Sequence, residues 1–258
     1  MLLVIDVGNT NTVVGAYDGN KLISNWRLST ERNRTIDEYG ILFRNLFSLA
    51  GMDSEKIEGI AISSVVPPLN FTLTKMADIY FRQTPYFVDH QSVTGMPILY
   101  TPVTDVGADR IVNSVAAIAR YGTPCIVVDF GTATTFDAVS AKGEYLGGVI
   151  TPGLNISAEA LFQRAARLSR VEIRRPETVV GQTTISSVQS GLYYGYIGLV
   201  DGILKRMLTE LGDDTKIIAT GGLARLIGRG TELIKEIDDD LTLEGLRLIY
   251  EMNKPGRK

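Results

Sequence analysis

The chain has one cysteine and one histidine in 258 residues. That excludes a disulfide within the chain and leaves no donors for a Cys/His zinc site. Cys125 sits inside an apolar run, where a thiol behaves as a small core residue rather than a nucleophile. His90 has no companion and reads as a structural or surface residue. Excess charge is also missing: 26 Lys and Arg stand against 29 Asp and Glu, a net charge of −3. Without a basic run or a basic–aromatic stripe, no nucleic-acid partner is expected. No apolar stretch approaches the roughly 18 residues of a membrane span, so no membrane association is expected either. Met1 leads directly into an apolar strand, which leaves no room for a leader peptide and points to a cytoplasmic location. Finally, no Walker-type glycine-lysine loop occurs anywhere in the sequence.

What is present begins at once. Leu2 to Thr12 reads LLVIDVGNTNT: an apolar, β-branched run ending in Asp6, a Gly-Asn-Thr turn, and a return strand at Val13 and Val14. A carboxylate at the end of a buried strand is costly unless a metal or hydrogen bonds satisfy it. Gly8 allows close backbone approach, and Asn9, Thr10 and the backbone N–H groups offer neutral donors to an anion. A carboxylate beside anion donors is what a nucleotide with Mg²⁺ requires. Alone, the segment could be an ordinary hairpin. Cys125 to Thr135, CIVVDFGTATT, repeats it, with Asp129 and Gly131 each 123 residues beyond Asp6 and Gly8. Turns at Asp18-Gly19-Asn20 and Lys142-Gly143-Glu144 extend the parallel. The chain is thus expected to hold two related halves, 1–121 and 122–258, each opening with a phosphate-type loop and gripping a nucleotide between them.

The order of elements is that of an α/β protein with a duplicated mixed sheet flanked by helices. Strands are expected at 2–7, 12–17 and 21–28, a helix at 35–50, a strand at 57–66 stopped by Pro67-Pro68, a helix at 69–81 and a short strand at 86–88. A Pro- and Gly-rich loop, residues 95–110, then opens a helix over 110–121, with Asp105 and Asp109 as a helix cap or a site. The second half repeats the meander at 124–129, 133–139 and 144–150. A helix at 154–168 and an Arg-rich linker to Arg175 follow, the latter read as a solvated basic face. A long helix over 183–211 carries Gly191, Gly195, Gly198 and Gly202, which permit close packing within the fold or across a dimer. A strand at 216–219, a Thr220-Gly221-Gly222 turn, a solvated loop at 238–240, a helix at 243–252 and a frayed tail over 253–258 complete the expectation.

In their order along the chain, Asp6-Val7-Gly8-Asn9-Thr10, Gly107-Ala108-Asp109-Arg110, Asp129 to Thr135 and Thr220-Gly221-Gly222 resemble the motifs of type III pantothenate kinases. The first loop by itself resembles only the wider superfamily of acetate and sugar kinases, heat-shock chaperones and actin. The resemblance implies two ribonuclease H-like domains with the active site between them, and transfer of the ATP γ-phosphate to pantothenate. It implies a first ATP loop of Asp6, Val7, Gly8, Asn9, Thr10, Asn11, Thr12 and Val13, with Asp6 acting on Mg²⁺-ATP, indirectly. Thr132 would bind phosphate in the second loop, with Gly221 and Gly222 near the nucleotide. Asp109 would be the general base. Tyr100, Gly107, Ala108, Asp109, Arg110 and Thr184 would surround pantothenate. Asp129 would hold a monovalent cation, K⁺ or NH₄⁺, and the protein would be a homodimer.

Two other functions fit the same fold: a nucleotide-binding regulator without kinase activity, and a kinase of a sugar or short carboxylic acid. The acid of the Gly107–Arg110 segment, which a sensor does not need, argues against the first. The match at Tyr100 and at Gly107 to Arg110 argues against the second. Neither loop carries Lys or Arg, so charge neutralisation falls to Mg²⁺, the monovalent cation and backbone dipoles, and weak ATP affinity is expected.

Overall fold

The structure, a computed structural model, describes residues 1–254. Strands β1 (Leu2–Val7), β2 (Asn11–Asp18) and β3 (Lys21–Ser29) form the opening antiparallel meander. Helix α1 (Ile36–Leu49) starts in a capping box, in which the Thr35 hydroxyl accepts the Glu38 N–H and Glu38 accepts the Thr35 N–H. Its buried stripe is Tyr39, Phe43 and Phe47. Strand β4 (Gly59–Ser64) then runs parallel to β1. Helix α2 (Pro67–Phe81) begins two residues earlier than the sequence implied, because proline is favoured in a first helical turn. The two-residue strand β5 (Tyr86–Phe87) closes the sheet in the order β3-β2-β1-β4-β5.

Helix α3 (Ala108–Tyr121) leads to β6 (Cys125–Phe130), β7 (Ala133–Val139) and β8 (Tyr145–Pro152). Helices α4 (Leu154–Arg164) and α5 (Thr184–Leu211) precede β9 (Lys216–Thr220), the short α6 (Ala224–Gly228), β10 (Glu236–Ile237) and α7 (Leu241–Asn253). Read from its β8 edge, the second sheet is ordered β8-β7-β6-β9-β10, with the same antiparallel and parallel pairings as the first. Even the register irregularities match, at Ala16/Tyr17 in β2 and Ala138/Val139 in β7. The duplicated mixed sheet read from the sequence is therefore present, as two five-stranded sheets of one topology.

Each sheet has its own apolar core. Leu3, Ile5 and Val7 pack with Ile60, Ile62, Phe43 and Leu73 in the first. Ile126, Val128 and Phe130 pack with Tyr193, Val200 and Leu204 in the second. By contacts the chain divides into Met1–Ala116 with Asp240 onward, and Ala117–Asp239. That division differs from contiguous halves at 121/122, because α7 belongs with the first sheet. Its Leu243 lies against Gly15 of β2, and Gly245 lies on the Val112 carbonyl of α3. Arg247, 7% exposed, donates to both Glu244 carboxylate oxygens and to Asn20 in the β2–β3 turn.

Three further differences have simple causes. Asp238 is not in a solvated loop. It is buried beside β10, an edge strand too short to show periodicity, and accepts from Arg120 (2.6 Å) and Tyr121 (3.0 Å). Helix α4 ends at Arg164 rather than 168. Asn253 is not frayed, since its amide exchanges two hydrogen bonds with the Val93 backbone; the tail beyond Lys254 lies outside the described residues. Cys125 is fully buried, which pushes its thiol up to about 12 and makes it the inert core residue expected. Among the described residues, no helix is long and apolar enough to cross a membrane.

Gly245 offers a direct test of the α7 docking. Alanine is a better helix former by about 1 kcal/mol, but its Cβ would enter the Val112 backbone carbonyl. Overpacking costs about 1–3 kcal/mol and wins. Gly245→Ala is expected to lower the urea midpoint of unfolding; a raised midpoint would show that α7 does not press on α3.

Candidate functional site

The two central strands show one burial pattern. Every residue of β1 and of β6 is buried except Asp6 and Asp129, each next to last in its strand and half-exposed. Both carboxylates stand at the C-terminal end of a strand flanked by parallel β4 or β9, where open α/β sheets receive ligands. Each is followed by a tight turn closed by its glycine N–H, but not identically. The Gly8 N–H donates to the Asn11 carbonyl (3.0 Å) and the Gly131 N–H to the nearer Ala133 carbonyl (3.1 Å). The second turn, between the paired Phe130 and Thr134, is therefore shorter than the first, between Val7 and Thr12.

The first loop is held from outside its own sequence. Thr30 donates through its hydroxyl to the Gly8 carbonyl (2.7 Å), and its N–H donates to the Thr10 carbonyl (3.0 Å). With its proton so committed, Thr30 Oγ1 accepts from the Thr12 hydroxyl at 2.9 Å, and Thr12 is buried. Arg32 reaches back to donate to Asn9 Oδ1 (2.9 Å). The loop itself carries no basic residue, yet a guanidinium stands beside it. Neither Thr30 nor Arg32 was found in the sequence, because their link to the loop runs through the β2–β3 pairing. Asn9, Thr10 and Asn11 are exposed, Val13 is half-buried, and Val7 is buried in the core.

The second loop rests on two glycines. A Cβ at Gly153 would meet the Gly131 and Thr132 carbonyls, and the Gly153 N–H donates to the Thr132 carbonyl (3.1 Å). Gly221, at φ +92°, lies so close to Asp129 that a Cβ would strike its Oδ1 and the Phe130 backbone. Thr132 and Gly222 are exposed at the rim. Nearby, the fully buried Asp137 accepts from the Tyr145 hydroxyl (2.7 Å) and from the Thr135 hydroxyl (3.1 Å). Thr135 is the cross-strand partner of Asp129. Asp137 escaped the sequence analysis because an acid inside a strand pattern carries no mark of its burial.

Around the start of α3, a Cβ at Gly107 would run into the Asp109 carboxylate, so glycine lets that acid fold back over the first turn. Asp109 Oδ1 accepts the Arg110 N–H (2.8 Å). Burial pushes the Asp109 carboxyl above its ordinary range, opposed by the Arg110 N–H and then the Arg110 guanidinium. Arg110 is 5% exposed, with its guanidinium 5.8 Å from the Tyr100 ring centroid. Ala108 is buried. Asp105 is exposed in a 3-10 turn apart from this group. Thr184, exposed in the first turn of α5, lines a depression of about 660 Å³ with Leu161, Leu168, Gly191 and Leu192. None of Asp129, Thr132 and Gly221 borders that depression.

Two units of one topology, each ending its central strand in an Asp beside a glycine turn, define a protein of the kinase and actin-like fold class. Solved structures agree on the fold. A Campylobacter jejuni protein assigned to a Baf family of transcriptional activators superposes with a TM-score of 0.61 at 20% identity, covering 97% of this chain and 98% of its own. A Sinorhizobium meliloti protein assigned as a 2-dehydro-3-deoxygalactonokinase gives 0.59 at 9% identity, covering 100% and 98%. Curated sequences carry the resemblance much further. Type III pantothenate kinases of Koribacter versatilis and Myxococcus xanthus are 59% and 57% identical, covering 100% and 98% of this chain and 98% and 99% of their own. The family model described as type III pantothenate kinase matches residues 2–206. The chain belongs to the type III pantothenate kinase family.

Thr30→Val keeps the side-chain shape but removes both hydroxyl contacts that brace the first loop. A lost hydrogen bond that orphans its partners costs about 1–3 kcal/mol. A fall of that size in unfolding free energy is the expected outcome by urea titration. An unchanged midpoint would mean that the loop is held without Thr30.

Proposed function

We propose that this protein transfers the γ-phosphoryl group of ATP to pantothenate, forming 4′-phosphopantothenate in the first step of coenzyme A biosynthesis. The observation that carries this reading is the 59% identity, over essentially the whole of both chains, to a curated type III pantothenate kinase. The regulator alternative is not favoured: the likeness to a structure assigned as a transcriptional activator is 20% identity and extends to the fold alone.

In this reading Asp109 is the general base. Its carboxylate sits at a helix start, held by the Arg110 N–H, and accepts the proton of the pantothenate hydroxyl as that oxygen attacks phosphorus. Arg110, largely buried against Tyr100, pairs with the pantothenate carboxylate, with Gly107, Ala108 and Thr184 completing the substrate contacts. Asp6, Val7, Gly8, Asn9, Thr10, Asn11, Thr12 and Val13 form the first ATP loop. Thr132 binds phosphate in the second, and Gly221 and Gly222 lie near the nucleotide.

Mg²⁺, when bound with ATP, neutralises triphosphate charge, and Asp6 acts on it indirectly. Asp129 holds the monovalent cation, K⁺ or NH₄⁺. The fit is supported by a half-exposed carboxylate with a glycine packed on it, a cradle that a Cβ at Gly221 would fill. For a homodimer, support comes from Gly191, Gly195 and Gly198 of α5. At each of these a Cβ would meet no described atom within 4 Å, so the three glycines leave a stretch of the α5 surface that a second copy could approach closely. The enzyme works in the cytoplasm, without nucleic-acid or membrane partners.

Asp109→Asn tests the base. The amide retains an oxygen for the Arg110 N–H but cannot take a proton, so pantothenate-dependent ADP release should fall about 10²–10⁴-fold. In the native enzyme the base must be ionised, so kcat/KM should decline as pH falls through a value above the ordinary carboxylate range. The stability sign is opposite. A carboxyl with a raised folded pKa costs stability in full above that pKa; the cost shrinks as pH falls through it and is gone below the unfolded value. At neutral pH Asp109→Asn should therefore be no less stable than the native protein. Turnover near the native rate in the variant would remove Asp109 from this role.

A further inference from the structure

Ser63 is fully buried on β4, and its Oγ has no hydrogen-bond partner among the described residues. Burying a hydroxyl unsatisfied is destabilising, and native structures seldom tolerate it without a use. The next residue shows the usual outcome, since Ser64 Oγ accepts the Val66 N–H (3.3 Å) ahead of α2. Ser63 is the register partner of Asp6 across the parallel β1–β4 pair. Residues so paired project from the same face, on strands about 4.8 Å apart. The orphaned hydroxyl thus stands beside the one residue of β1 that is not buried, at the C-terminal ends of both strands. The second sheet repeats the arrangement, with Thr220, 1% exposed, as the register partner of Asp129.

We infer that Ser63 is a further binding residue of the first loop: its hydroxyl hydrogen-bonds an oxygen of the hydrated metal–triphosphate group received at Asp6. This rests on the assignment of Mg²⁺-ATP to that loop. A hydroxyl suits either oxygen source, as a donor to a phosphate oxygen or as an acceptor from a metal-bound water. Stability of the free protein is given up for that ligand, and this makes the role separable from a structural one.

Ser63→Ala and the near-isosteric Ser63→Cys should be compared with the native protein by thermal unfolding without ligand and by calorimetric titration with Mg²⁺-ATP, K⁺ present and pantothenate absent. Removing the orphaned hydroxyl should raise the ligand-free midpoint of Ser63→Ala by a few degrees. The same variant should bind Mg²⁺-ATP about tenfold or more weakly. Titration with ATP and EDTA separates the sources. A loss seen only with Mg²⁺ assigns the bond to a metal-bound water, and a loss in both assigns it to a phosphate oxygen. Unchanged Mg²⁺-ATP affinity in both variants would overturn the inference while leaving the kinase assignment standing. Failure of the native protein to bind Mg²⁺-ATP at all would overturn the assignment together with the inference.

Discussion

An ionisable carboxylate at the end of a buried central strand is the constraint on which the rest of this structure depends. Asp6 and Asp129 each interrupt an otherwise buried run, and a carboxylate in that position is tolerated only where solvent, donors or a cation reach it. The neighbouring features answer that demand. Gly8 and Gly131 turn the chain back within a few residues, which leaves the strand end open. Gly221 lets the backbone come down onto Asp129 without a side chain in between. Ser63 and Thr220 set a hydroxyl beside each acid from the adjoining parallel strand.

Rigidity at each loop comes from elsewhere in its own unit. Thr30 braces the first loop from the end of β3, while Gly153 supports the second from the end of β8. The duplication therefore includes the support as well as the loops, each taken from the residues that follow the meander's third strand. The first unit adds α7 from the chain's far end, fixed by the Gly245 contact and the Arg247–Glu244 pair. Asp109 and Arg110 form a separate centre at the start of α3. There burial and helix geometry act on the acid in opposite directions, and burial is the larger.

Much of the fold could be read from the sequence because its signals are local and repeated. The Asp6 and Asp129 segments share an offset, and β-branched runs next to glycine turns specify strands and hairpins. Element ends were less legible: Pro67 and Pro68 belong to α2 rather than before it, β4 is shorter than the apolar run that signals it, and α4 stops at Arg164. What escaped was non-local. Arg32 reaches Asn9 only because β2 and β3 pair, and Asp238 is buried only because β10 joins β9. A sequence shows that Ser63 and Asp137 are polar, but only packing shows that they are fully buried. Site residues followed the same rule. Gly107 to Arg110 are contiguous and were legible as a group, whereas the stacking of Arg110 on Tyr100 depends on how the intervening loop folds.

The most direct test of the account is the identity of the product. The purified protein should be incubated with pantothenate, Mg²⁺-ATP and K⁺, and the mixture followed by ³¹P NMR. The account predicts a phosphomonoester resonance that grows with ADP in equal amounts and is slower when Na⁺ replaces K⁺. ATP converted to ADP and inorganic phosphate alone, or no change from a folded, nucleotide-bound protein, would contradict it.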